Sequence, residues 1–292
     1  MRCFKRSIRA KSITPAPIPL IAIDSIEKST LAVEKMGVIL SLAEQLTVHG
    51  HNPHVWIRSM NVRQARLVTA PSSPNGIGED AFILSQTVPT WICSSPQTAA
   101  AAAAHAGASV LLLNERSERY DQIATFSIAL VERDLGANVS ASGLLAKSDG
   151  IITLSHDNIH DLRQMNQSVY FVEWCIPAQN VPGASVFGFT GLHDSGAFYH
   201  SLLKHRYNVK GFVPLLHMQR QEKQLQALLK MAASSGSILV TSDKDAPFLS
   251  KKMRRQVHVF PMSLNVDAAL VNTIVKVIHR DDIIRPKTTS FG

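Results

Sequence analysis

Nine short apolar runs, each four to seven residues long, recur along this chain with helix-period segments between them. The runs occupy residues 19–23, 54–57, 109–113, 127–131, 150–154, 168–174, 185–189, 237–241 and 257–261. Most are apolar at nearly every position, as in "PLIAI", "SVLLL" and "SIALV". A strand with one wet face alternates apolar and polar residues, whereas a continuous Val/Ile/Leu run belongs to a strand buried on both faces. Amphipathic stretches at 31–48, 97–107, 197–206, 221–233 and 267–278 supply the covering helices. Strands alternating with helices place the chain in the α/β class, with a parallel sheet flanked by helices.

The segment "QTAAAAAAHAGA" reads as a close-packed crossover helix that stops at Gly107, with His105 at its end. Two loops break the pattern, "APSSPNGIG" at 70–78 and "NVPGA" at 180–184, and a fresh strand–helix alternation follows the second. The expected division is a basic tail over 1–18, an N-terminal domain over 19–183 and a smaller C-terminal α/β domain over 184–292.

Charge and cysteine content narrow the function classes. Thirty Lys and Arg against 22 Asp and Glu leave a net charge of +8, which suits an anionic partner and equally a basic soluble protein. Aromatic content of 6% and the lack of a nucleic-acid-binding motif speak against nucleic acid as partner. Cys3, Cys93 and Cys175 stand far apart with no CxxC pair, which argues against a disulfide scaffold or zinc site and fits a reducing compartment. The start "MRCFKRSIRAKS" is basic with no apolar run behind it, so no secretory signal is expected. No apolar run approaches the roughly 20 residues that cross a bilayer.

In parallel sheets ligands gather on the loops at the carboxyl ends of strands. Those loops are polar here: "DSIEKST" at 24–30, "RSMN" at 58–61, "NERSERY" at 114–120, "TGLHDSG" at 190–196 and "TSDKDAP" at 241–247. Taken in order with their flanking strands, they resemble the tetraacyldisaccharide 4'-kinases, the lipid A 4'-kinases of Gram-negative bacteria. "VPTWICSSPQTAAAAAAHAGASVLLLNERSERYDQIATFSIALVE" runs in step with the family's stretch ending in DDGxQH. "VFGFTGLHDSGAFYHSLLKHRY" is similar to its FAGIGNPxxFF start, and "ILVTSDKDAPFL" to its MTEKDAVK segment. The resemblance spans roughly residues 15–270 and implies a P-loop-type, two-domain kinase. Such an enzyme works at the cytoplasmic face of the inner membrane, moving the γ-phosphate of ATP, with Mg²⁺, to the 4'-hydroxyl of a lipid A precursor. It also implies peripheral contact with anionic membrane.

Residue by residue, the resemblance assigns expected roles and reveals departures. The family's GGTGKT cradle corresponds to "DSIEKSTLAVEKMG", which has no glycine before Gly37. Aligned from the helix, Lys35 takes the place of the phosphate-binding lysine; aligned from the strand, Lys28 and Ser29 form a KS pair. Leu31, Ala32, Val33 and Glu34 cannot readily take the left-handed conformations of a phosphate nest, so a capped helix with a solvated Lys35 also stays open. The family's GDE appears as Gly78-Glu79-Asp80 with its acids exchanged, which implies catalytic roles for Glu79 and Asp80 and a metal role for Asp80. Two acids in a first helical turn are equally good electrostatics. Of DDGxQH only Glu115 keeps an acid, as metal ligand, because Asn114 is neutral. His217, one residue late for the family's Asp-His pair, is the remaining candidate base, and Lys244 beside Asp245 the remaining nucleotide contact. A homologue that keeps the fold and a binding surface without catalysis is the alternative.

Overall fold

The computed structural model describes residues 15–25, 32–69, 77–115, 123–131, 145, 147–154, 159–165, 168–175, 183–191, 195–215, 222–243, 245–246 and 249–284. In chain order its strands are β1 (Leu20–Ser25), β2 (Pro53–Arg58), β3 (Arg66–Leu67), β4 (Thr90–Cys93), β5 (Val110–Leu113), β6 (Phe126–Val131) and β7 (Gly150–Thr153). They continue as β8 (Val169–Cys175), β9 (Ser185–Thr190), β10 (Asn208–Pro214), β11 (Ile238–Ser242), β12 (His258–Phe260) and β13 (Ser263–Val266). The helices are α1 (Ala32–Val48), α2 (Glu79–Ser85), α3 (Pro96–His105), α4 (Ile159–Met165), α5 (Ser195–Lys204), α6 (Glu222–Ser234), α7 (Lys251–Arg254) and α8 (Ala268–Ile284).

Among the described residues, nine strands form one sheet in the order β13-β8-β7-β6-β1-β5-β2-β4-β3. Seven are parallel; the edge strands β3 and β13 run antiparallel to their neighbours. Both faces are buried, as the continuous apolar runs demand. Ile21, Ile23, Val55, Val110 and Leu112 face the core that α1 covers, while Leu20, Trp56, Leu111 and Leu113 face the core under α3. The alanine run is the close-packed helix its composition predicts: Ala99, Ala100 and Ala103 are fully buried, and Ser95 caps the start by accepting from Thr98 N. Methyl-sized side chains let this backbone lie near the sheet, leaving room for Trp56 and Trp91 in the same cluster.

A second, four-stranded parallel sheet has the order β10-β9-β11-β12. The stretch 184–292 holds all of it, and also β13 and α8, which return to the large sheet. There Ser41 Oγ and Gln45 Nε2 of α1 satisfy the backbone N–H and C=O of Val266 in β13 at 3.2 and 3.0 Å. Strand β10 escapes the apolar-run criterion because it is a half-wet edge, "NVKGFVP". Its pairing with β9 is specific: Gly211 lies opposite Phe187, and Phe212 opposite Gly188. Each glycine leaves the space its partner ring fills, since a Cβ at either position would collide with that ring.

Candidate nucleotide-phosphate site

Strand β1 is the centre of the large sheet, flanked by β5 on one side and β6 on the other. The chain runs outward through β2 and β4, returns to β5, then crosses to β6, so the topological switch falls at β1. The crevice beyond its carboxyl end is where open α/β sheets bind ligands.

Five side chains from four elements or their adjoining loops meet there. Lys35, in the first turns of α1, donates from Nζ to the backbone carbonyl of Asn114 at 3.0 Å. Asn114 follows β5 directly, and its backbone N–H bonds Trp56 O at 3.0 Å, extending the β2–β5 ladder by one residue. Its side chain donates from Nδ2 to Asp80 Oδ2 at 3.2 Å. Asp80 sits in the first turn of α2, behind Glu79. Next along, Glu115 Oε1 accepts from Arg58 Nη1 at 2.7 Å, with both side chains about one-third exposed. Asn114 is only 6% exposed, and its Oδ1 has no hydrogen-bond partner among the described residues. A buried acceptor left in that state costs about 1–3 kcal/mol.

Lys35, Asp80 and Glu115 therefore stand within one constellation, linked through Asn114 and its neighbour. Glu79 opens α2 beside Asp80. Lys28, Ser29, His217 and Lys244 lie outside the described residues. Motif reasoning did not single out Arg58, and it set Asn114 aside as neutral, although Arg58 heads one of the carboxyl-end loops and Asn114 heads another. Among the described residues no group of three or more Asp, Glu, His or Cys side chains converges as a metal site. A groove of about 530 Å³ lies at the opposite, amino end of the strands, lined by Thr47, Asn52, Pro53, Thr87 and Pro89 among others. It includes none of the five site residues.

The small sheet has its own polar centre at the carboxyl ends of β9 and β11. Asp245, 1% exposed, accepts from Thr190 Oγ1 at 2.6 Å, Ser242 Oγ at 2.7 Å and Gly191 N at 3.0 Å, while Thr241 Oγ1, 3.5 Å away, donates to Phe189 O at 2.8 Å. One carboxylate thus ties the ends of two neighbouring strands. Asp243 Oδ1 extends the tie to the backbone N–H of Met262, at 3.1 Å.

No family model matches the chain. Relatives nonetheless align along most of its length. A tetraacyldisaccharide 4'-kinase of Rhodospirillum centenum is 26% identical over 269 residues, covering 85% of this chain and 79% of its own. One from a Jannaschia species is 24% identical over 307 residues, covering 94% and 91%. The solved structure of LpxK from Aquifex aeolicus in complex with ATP superimposes with a TM-score of 0.53 at 14% identity, over 91% of this chain and 90% of that one. The chain is a distant homologue of the tetraacyldisaccharide 4'-kinases. Its large, mostly parallel sheet with a second four-stranded sheet is the LpxK-like fold. No helix among the described residues is long and apolar enough to cross a membrane.

Proposed function

We propose that the chain acts in lipid A biosynthesis as an ATP-dependent 4'-kinase of tetraacyldisaccharide 1-phosphate, peripheral at the cytoplasmic face of the inner membrane. The observation that carries this is Lys35, held on the first residue after β5, beside the switch point of a fold shared with an ATP-binding LpxK. An ammonium there meets a phosphate near the start of α1, where the helix dipole also favours negative charge. Asp80, close by in the first turn of α2, is the side chain nearest the role of proton acceptor for the sugar hydroxyl, and Asn114 orients it through its amide.

A second reading has its own supporting observation. The neutral Asn114 and Glu115, the latter paired with Arg58 of β2, occupy the segment where the resemblance expects two free acids. Phosphoryl transfer is mostly positioning and charge neutralisation, and each lost electrostatic contact costs about 10²–10³ in rate. On that reading the chain binds nucleotide or lipid without transfer.

Transfer of labelled phosphate from Mg-ATP to tetraacyldisaccharide 1-phosphate separates the two. The kinase reading expects turnover that Lys35→Ala lowers at least about 100-fold. Turnover lost with Lys28→Ala but not Lys35→Ala would move the phosphate contact to the connection after β1. A folded sample with no turnover above the protein-free control leaves the binding reading.

A further inference from the structure

We infer that the cluster at the end of β5 has replaced a divalent cation with its own side chains, so that it takes up nucleotide phosphate without metal. The inference rests on the reading of this crevice as a phosphate site. A Mg²⁺ ion demands a near-octahedral shell of oxygens, with one or two carboxylates turned towards it. Here one oxygen of each acid, and the one backbone carbonyl between them, already carries a donor. Asp80 Oδ2 has the Asn114 amide, Glu115 Oε1 has Arg58, and the Asn114 carbonyl has Lys35. Two of those three donors are themselves cations. Lys35 and Arg58 balance Asp80 and Glu115, and Asn114 adds nothing, so these five side chains sum to zero. A dication entering them has an ammonium and a guanidinium to displace. A phosphate is attracted by both, and Arg58 and Lys35 are the side-chain types that bind it best.

The unspent Oδ1 of Asn114 completes the description of the ligand. It is buried and lacks a partner among the described residues. A single neutral oxygen is too little to hold Mg²⁺, but it is a full partner for one hydroxyl or N–H. The ligand that fits therefore presents a hydrogen-bond donor beside its phosphate, as a nucleotide does with its ribose or base. Asn114→Asp reverses the arrangement. It removes the donor from Asp80, sets two carboxylates side by side in a mostly buried position, and creates the demand for a cation that the native chain has dismissed.

The experiment titrates Mn²⁺ into the purified full chain and follows free Mn²⁺ by its EPR signal, for the native protein and for Asn114→Asp. In parallel, equilibrium dialysis reads ATP binding in EDTA and in excess Mg²⁺. The expected results are Mn²⁺ binding at least about tenfold tighter in Asn114→Asp, and native ATP affinity equal within about twofold in the two buffers. Saturable Mn²⁺ binding by the native chain as tight as the variant's, or native ATP affinity rising about tenfold with Mg²⁺, overturns the inference. ATP that binds in neither buffer overturns the phosphate reading and the nucleotide half of the inference, while the Mn²⁺ comparison still decides the exchange of metal for side chains. A thermal melt of Asn114→Asp confirms that the variant is folded, and the native arms need no variant at all.

Discussion

Asp245 and Asn114 occupy equivalent places in the two sheets, each in the loop leaving a strand's carboxyl end, and each is almost wholly buried. They differ in what they have left to give. Asp245 receives the Thr190 and Ser242 hydroxyls and the Gly191 backbone N–H, from the ends of both strands. Asn114 donates once to Asp80, lends its carbonyl to Lys35, and keeps one oxygen unspent. A saturated buried polar group is a structural tie; an unsaturated one is an opening for a ligand. It follows that the segment closest to the family's pattern, "SDKDA", owes its Asp245 to folding, while Asn114 and Glu115 of the drifted segment stand at the crevice proposed for the phosphate.

That contrast is sharpest in stability. Asp245→Ala abandons three donors at the ends of β9 and β11, and is expected to cost about 3–4 kcal/mol in urea unfolding, with an unchanged m-value. Gly211→Ala strikes the same sheet sterically, because its Cβ lands on the Phe187 ring; about 2 kcal/mol is the expected loss. Asn114→Ala removes one hydrogen bond and also the orphaned Oδ1, so it is expected to cost about 1 kcal/mol or less while weakening ATP binding at least about tenfold. Equal stability losses for Asp245→Ala and Asn114→Ala would break the comparison and make both groups structural.

The sequence made the framework legible because the central strands are buried on both faces, where residue type is fixed by the core. All nine apolar runs are strands, from Leu20–Ser25 to His258–Phe260. Of the four strands it concealed, β4 is a fully buried four-residue "TWIC" beside the edge strand β3, and the other three, β3, β10 and β13 with its alternating "SLNV", are themselves edges. One wet side lets polar residues and glycine in, and the pattern dissolves. At the candidate site Lys35, Asp80 and Glu115 were legible from their loops and from the resemblance. Arg58 was not, and Asn114 read only as a lost acid, because their importance lies in whom they meet. An arginine after β2 becomes informative only once the topology brings β5 beside it and Glu115 within 2.7 Å.

A third buried polar pair sets the direction of the smallest effect and assigns it to one sheet. His54 and Trp91 lie on adjacent strands, β2 and β4, with Trp91 Nε1 donating to His54 Nδ1 at 3.0 Å. His54 is 4% exposed, and burial lowers its pKa below the usual histidine value of 6.5. The folded chain therefore resists a proton that the unfolded chain accepts. Above pH 6.5 both forms are neutral and stability is at its full value. As pH falls below that point, the unfolded state gains the proton first, and stability declines until the lower folded value is reached. Protonation also takes the lone pair that receives the Trp91 N–H. The expected outcome is a urea midpoint that falls between pH 7 and 5 by more in the native chain than in His54→Gln, which keeps an acceptor and does not titrate. Because β2 carries Arg58 to the crevice, ATP binding should weaken over the same interval. The Asp245 tie, followed by hydrogen exchange at Gly191, should hold. A native chain and a His54→Gln variant with parallel pH profiles would show that β2 and β4 tolerate the charge, and would separate this pair from the site at its end.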